Sequence, residues 1–120
     1  MIMKTIDFTE ILEQVGAGVP VLCIDVREQY RQATMDAGGW KIPYNQIASS
    51  ADLLLPYRDC LTVVCCLRPS GSQRTLMAFS ALQELDFSDV RELKNGIYQG
   101  WILKVGGRVK LPVAGLNLVV

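Results

Sequence analysis

The strongest chemical signal in this sequence is one cysteine and two arginines in a short loop. Cys66-Leu67-Arg68-Pro69-Ser70-Gly71-Ser72-Gln73-Arg74 follows the apolar run Leu61 to Cys66 and leads into a helix-forming stretch. In open α/β sheets, ligands bind beyond the carboxyl ends of the strands. A loop that feeds a helix there presents unpaired N–H groups and the positive end of the helix dipole. A cysteine heading such a loop is favoured as thiolate, its nucleophilic form. Pro69 and Gly71 let the loop curl so that its amides converge, and Arg68 and Arg74 add cationic donors for an oxyanion. The chain contains no histidine. Ser-His-Asp and Cys-His catalysis, His-bound zinc and an imidazole base are therefore all excluded. Any chemistry must run on cysteine, carboxylates, Arg or Lys, hydroxyls and backbone amides.

Each of these residues also has a plainer reading. Cys23 and Cys65 sit inside apolar runs, where cysteine behaves as a small core hydrophobe. Cys60 precedes its run and reads as incidental. In a regular strand Cys65 and Cys66 point to opposite faces, so only one of them aims into the loop, and Cys66 as the last strand residue is the choice. The loop itself also reads as an ordinary strand-to-helix connection. No C-x-x-C pair occurs among the four cysteines, so no structural zinc site is expected, and no cofactor is called for. The N-terminus lacks a charged region followed by a long apolar stretch, so no signal peptide is evident. The longest apolar runs fall far short of the ~20 residues of a membrane span. A cytoplasmic setting with reduced thiols is the expectation. Twelve Lys and Arg balance twelve Asp and Glu, which gives no electrostatic case for a nucleic-acid partner.

The elements that must position the loop follow from pattern. A chain of 120 residues is the size of one domain and can build a core without disulfides. Phe8, Ile11, Leu12 and Val15 mark one face of a helix, with Asp7 and Glu10 as a capping box and Gly16 and Gly18 as the stop. Val19 to Val26 and Leu61 to Cys66 read as strands buried on both faces. Between them, Glu28 to Met35 reads as a short helix ending at Gly38-Gly39, Ile42 to Tyr44 as an extended piece, and Ala48 to Leu55 as a helix stopped by Pro56. Gln73 to Leu85 reads as a helix carrying Leu76, Phe79, Leu82 and Leu85. Val90 to Leu93 starts a short strand, Asn95-Gly96 a turn into Ile97 to Trp101, and Val109 to Val113 a final extended stretch. Strands alternating with helices at this spacing predict a small α/β domain, a mainly parallel sheet with helices on both faces.

With these elements in place, the sequence resembles the rhodanese-like domain family over roughly residues 7 to 113. Asp25-Val26-Arg27-Glu28 after an apolar strand is similar to the family's D-V-R-E segment. Ile42-Pro43 matches part of its H-I-P-G-A segment, with Lys41 where the family often has histidine. Cys66 to Arg74 occupies the place of the active-site loop. Leu93-Lys94-Asn95-Gly96-Ile97-Tyr98-Gln99-Gly100-Trp101 resembles the closing L-x-G-G-x-x-x-W motif, and Gly107 with Leu111-Pro112-Val113 fits the tail that follows it.

The resemblance implies a three-layer α/β fold spanning 1–120 as a single domain. It also implies a sulfurtransferase that moves sulfane sulfur from a donor such as thiosulfate to a thiol or cyanide through a cysteine persulfide. Carried over residue by residue, Cys66 accepts the sulfur. The amides of Leu67 to Arg74, including those of Ser70, Gly71, Ser72 and Gln73, cradle the persulfide and the donor's anionic end, and Arg74 closes the loop. Asp25 and Arg27 brace the loop, while Tyr98 and Trp101 pack. The implied partners are a small anionic sulfur donor and a thiol, cyanide or protein acceptor. One departure bears on activity. The family's common loop is C-x-x-G-x-R, whereas seven residues separate Cys66 from Arg74 here. Related phosphatases and arsenate reductases have a longer loop than the sulfurtransferases, still shorter than this one. Arg68 is then a rival to Arg74 for the place nearest the ligand. The loop length leaves two further readings: a catalytically silent rhodanese-like binding or regulatory module, and an oxyanion phosphatase or arsenate reductase.

Overall fold

The computed structural model describes residues 3–68, 72–106 and 108–114. Its strands are β1 (Lys4–Ile6), β2 (Val21–Asp25), β3 (Trp40–Lys41), β4 (Leu61–Cys65) and β5 (Asp89–Leu93). Its helices are α1 (Phe8–Gly16), α2 (Gln29–Thr34), α3 (Ala51–Leu54), α4 (Gln73–Glu84) and α5 (Leu103–Val105). The five strands form one sheet in the order β1-β5-β4-β2-β3, and every pairing is parallel. All five residues of β2 and all five of β4 are buried, as their nearly continuous apolar runs predict for strands covered on both faces.

Side-chain alternation along the strands divides the core in two. Leu22, Ile24, Val26, Val64 and Cys66 pack with Ala78, Phe79 and Leu82 of α4 and with Ile47 and Leu54. Val21, Cys23, Val63 and Cys65 pack on the opposite face with Ile11 of α1, Ile97, Trp101 and Leu111. The result is three layers, helix, sheet and helix, matching the expected α/β architecture. Among the described residues no helix is long and apolar enough to cross a membrane.

The capping box of α1 forms as its sequence predicts. The Asp7 side chain accepts from the Glu10 amide at 2.9 Å, and the Glu10 carboxylate accepts from the Asp7 amide at 3.2 Å. The buried stripe is narrower than expected, because Leu12 is 40% exposed while Ile11 is fully covered. In α4 the buried stripe is Thr75, Ala78, Phe79 and Leu82. Leu76 lies one residue, about 100° of helical rotation, away from Thr75 and is exposed. Several boundaries also move. The extended piece expected at Ile42 to Tyr44 is a strand at Trp40–Lys41, and Tyr44–Gln46 is a 3-10 turn. The helix expected over Ala48 to Leu55 is a 3-10 turn, the single turn of α3 and a further 3-10 turn that runs through Pro56 to Tyr57. Proline is tolerated there because the first residues of a helical turn have no intrahelical use for an N–H. Strand β4 ends at Cys65, so Cys66 is the first residue beyond it.

The order of the strands locates a crevice. The chain leaves β2 for β3 on one side of the sheet and leaves β4 for β5 on the other. Neighbouring strands whose connections diverge form a topological switch point, where α/β sheets bind ligands. The loop after β2 begins at Val26, and the loop after β4 begins at Cys66.

Candidate active site

Two segments meet at this switch point. Asp25 is paired in register with Cys65, and the Val26 amide extends the ladder by donating to the Cys65 carbonyl at 2.9 Å. The segment after β2 is held by a buried ion pair. Arg27 donates through Nε to Asp25 Oδ1 at 3.0 Å and through Nη2 to Asp25 Oδ2 at 2.7 Å. The same Nη2 reaches the Met35 carbonyl at 2.6 Å, and Gln32 Nε2 donates to the carbonyls of Asp25 and Arg27. Asp25 is 0% and Arg27 1% exposed. Burying two charges is tolerable only when both are paired and further hydrogen-bonded, and this cluster meets that condition.

Cys66 is 5% exposed and lies on the α4 face of the sheet, while Cys65 lies on the α1 face beside Cys23. The expected separation of the two adjacent thiols is thus observed. Burial pushes the Cys65 thiol well up, and its hydrogen bond with Cys23 pushes it in the same direction. Cys65 is therefore a protonated core side chain at neutral pH. Burial also raises the Cys60 thiol, with the charge of Asp59 adding to the shift.

The start of the loop rests on the turn after β5. The Ile97 amide donates to the Cys66 carbonyl at 2.8 Å. Asn95 and Gly96 both adopt positive φ, 67° and 75°. A Cβ at Gly96 would lie 2.5 Å from the carbonyl oxygens of both Leu67 and Arg68. Glycine is required there by conformation and by close approach together. The turn of the Leu93 to Trp101 segment therefore holds the backbone just beyond Cys66.

Of the residues expected to contact an anion, Leu67 is half-buried, and Arg68 and Gln73 are exposed. Ser70 and Gly71 lie outside the described residues, as does Pro69. Ser72 caps α4, its hydroxyl accepting from the Thr75 amide at 3.2 Å. The Arg74 guanidinium turns to the β2 segment. Its Nε donates to Glu28 Oε1 at 2.8 Å, its Nη2 approaches the same oxygen at 2.7 Å, and it lies over the Tyr44 ring. Glu28 pushes the Arg74 pKa above the usual arginine range, with Cys66 and Tyr44 acting in the same direction. Arg74 is thus within electrostatic reach of Cys66 while its hydrogen bonds belong to Glu28. Arg68, with Met35, Leu67, Tyr98 and Gln99, lines an open groove of about 370 Å³. Tyr98 is 44% exposed and faces this groove instead of packing, whereas Trp101 is fully buried and donates to the Val109 carbonyl at 2.8 Å. Lys41 forms an ion pair with Asp36 at 2.7 Å.

The motifs do not mark Glu28, Thr75, Glu92 or the Gly96-Ile97 pair as site residues. Glu28 stands in the D-V-R-E segment. Glu92 carries a period-two signal, since the alternation that buries Val90 also turns Glu92 toward the α4 face. Among the described residues no group of His, Cys, Asp or Glu is arranged to hold a metal.

No family model matches the chain, and no curated protein matches it by sequence. Several solved structures are similar over most of the chain. A rhodanese-related protein of Thermoplasma volcanium superposes with a TM-score of 0.63 at 23% identity, covering 85% of this chain and 93% of its own. A human single-domain sulfurtransferase gives 0.64 at 20% identity over 83% of this chain and 96% of its own. A single-domain sulfurtransferase of Saccharomyces cerevisiae gives 0.65 at 18% identity over 92% and 98%. With its central parallel sheet between helical layers, the chain has a rhodanese-like fold.

Proposed function

We propose that the chain is a sulfurtransferase with Cys66 as its sulfur-carrying nucleophile. The observation that carries the reading is the position of Cys66, just past the end of β4 at the switch point. Its carbonyl is pinned by Ile97 and the following backbone rests on Gly96. Two of the similar structures are named as sulfurtransferases, which agrees with it. In the first step the Cys66 thiolate attacks the outer sulfur of thiosulfate. A bond forms between Sγ and that sulfur, and sulfite departs with the electron pair of the broken S–S bond. In the second step a thiolate or cyanide attacks the outer sulfur of the persulfide, and Cys66 leaves as thiolate. Loop amides and the N-terminal turn of α4 stabilise the anionic sulfur and the departing sulfite, as oriented dipoles do in an oxyanion hole. Arg68, on the groove beside the loop, is the cation placed for a donor's anionic end. Arg74 holds the loop's far end to the β2 segment through Glu28, and the Asp25–Arg27 pair keeps that segment rigid. The partners are a small anionic donor and a thiol, cyanide or protein acceptor. The whole chain, 1–120, acts as one domain in a reducing, cytoplasmic setting.

Intact mass after incubation with thiosulfate tests the reading. The wild type is expected to gain one sulfur atom that a reductant removes. Cys66→Ala should gain none, and Cys65→Ala should still gain it. Retention of the adduct by Cys66→Ala would sink the assignment. One observation favours a second reading, a silent binding module: the hydrogen bonds of Arg74 are given to Glu28. Absence of a persulfide in the wild type with any sulfane donor would select that reading.

A further inference from the structure

We infer that Glu92 is a positioning residue for the Cys66 loop, acting through Thr75 and Ser72; the inference rests on Cys66 being the reacting thiol. Glu92 lies on β5, 5% exposed, and alternation places it on the α4 face of the sheet, the face that carries Cys66. No Lys or Arg among the described residues pairs with it. A buried carboxylate without a cation is costly unless hydrogen-bonded. Its partner is the Thr75 hydroxyl in the first turn of α4, with Oγ1 and Oε2 2.5 Å apart.

The proton count gives this contact a direction. Thr75 Oγ1 has three oxygen neighbours: Glu92 Oε2, the Ser72 carbonyl at 2.9 Å and Ser72 Oγ at 3.0 Å. The hydroxyl has one proton, and the carboxylate is the strongest acceptor of the three. Thr75 therefore donates to Glu92. Ser72 donates its own proton to Thr75 Oγ1 and accepts the Thr75 amide in return. The relay runs Ser72, Thr75, Glu92, and it fixes the residue at which the loop becomes helix.

The other end of the loop is fixed by the same segment of chain. Gly96 supports the carbonyls of Leu67 and Arg68, and Ile97 holds the carbonyl of Cys66. Strand β5 and its turn thus clamp both ends of the loop, at 66–68 and at 72–75. Loop-closure entropy rises with length, so an extended loop has more freedom to lose before its amides can face one sulfur. The two clamps fix where the loop begins and where it ends. Misplacement by about 1 Å can cost on the order of 100-fold in rate.

The test compares Thr75→Val, which removes the hydroxyl but keeps the branched shape, with Thr75→Ser, which keeps the hydroxyl, and with Glu92→Gln. Sulfur transfer from thiosulfate and amide hydrogen exchange at residues 72–76 are measured on all three. Thr75→Val is expected to lower kcat about 10-fold or more, with KM changed far less. Thr75→Ser should stay near wild type, and Glu92→Gln should fall between. Exchange in the first turn of α4 should speed up in Thr75→Val and not in Thr75→Ser. Wild-type kcat in Thr75→Val, or equal losses in the Val and Ser variants, would overturn the inference. If Thr75→Val fails to fold, Glu92→Gln decides: wild-type kcat and wild-type exchange together overturn it. A wild-type protein that forms no persulfide would refute the proposed reaction, while the exchange data would still report whether the clamp exists.

Discussion

At the scale of single residues, the Asp25–Arg27 pair shows why a buried charge needs its partner more than the fold needs the charge. Arg27 is 1% exposed, and besides Asp25 its guanidinium donates to the Met35 carbonyl. Asp25→Ala leaves that cation buried and unpaired, which should cost about 3–5 kcal/mol. The double variant Asp25→Ala with Arg27→Met removes both charges and should recover most of the loss, because replacing a buried pair by apolar groups is often close to neutral. Urea midpoints of the two variants check this; equal destabilisation would refute the account. The resemblance marks Asp25 and Arg27 as bracing residues, but their pairing with each other comes from the structure. Cys65 and Cys66 were equally legible, because strand alternation alone separates them. Leu12, Leu76 and Tyr98 were not. An apolar side chain near the edge of a helix stripe can face the core or solvent, and only the angle at which the helix lies on the sheet decides.

At the scale of elements, legibility followed the strength of the local code. Strands β2 and β4 are readable as nearly continuous apolar runs, and α1 as a capping box with glycines beyond it. The short edge strand β3 has two residues and no period, so the pattern points to Ile42 to Tyr44 instead. The helix expected over Ala48 to Leu55 with a stop at Pro56 instead continues through that proline, which breaks an α-helix interior but fits the start of a 3-10 turn. The partner of Arg74 was also unreadable, because Glu28 lies far away in sequence and only the adjacency of β2 and β4 brings the two together. That ion pair joins the start of α4 to the segment after β2, and it carries a pH signature. Arg74 holds the Glu28 carboxyl below its ordinary 4.5, chiefly through their hydrogen bond. A folded-state pKa lower than the unfolded one gives stability that is fully present above the unfolded value and is lost as pH falls through the folded value. Both side chains are about a quarter exposed, so the contribution is discounted to about 0.5–1 kcal/mol. Glu28→Gln should be less stable than wild type by that amount at neutral pH, and the two should converge in acid below the lowered pKa. A gap that persists unchanged into strong acid would show that charge pairing is not its source.

At the scale of the whole molecule, the last described stretch completes the sheet that carries the site. The Leu111 amide donates to the Ala37 carbonyl at 2.7 Å, the Gly39 amide to the Leu111 carbonyl at 3.2 Å, and the Cys23 amide to the Pro112 carbonyl at 3.0 Å. Gly38 and Leu111 form a parallel bridge. The Cys23 bond occupies a backbone group of β2 that the two-residue β3 does not pair, and the other two tie the tail to the segment just before β3, covering an edge otherwise open to pairing with another chain. The side chain of Leu111 is 2% exposed and belongs to the same cluster as Trp101, Cys23 and Cys65. Trp101 in turn holds the Val109 carbonyl. The tail is thus tied to the segment that leaves Gly96, and through it to the loop after Cys66. Leu111→Ala opens a cavity in this cluster and should cost about 2–5 kcal/mol. It should also loosen the tail before the rest of the sheet, since local openings precede global unfolding where contacts are fewest. Amide exchange would then accelerate at Cys23 and Gly39 while the central β4 amides of Val63 and Val64 follow only the global loss of stability. Uniform acceleration of all four amides would mean that the tail and the sheet unfold as one unit.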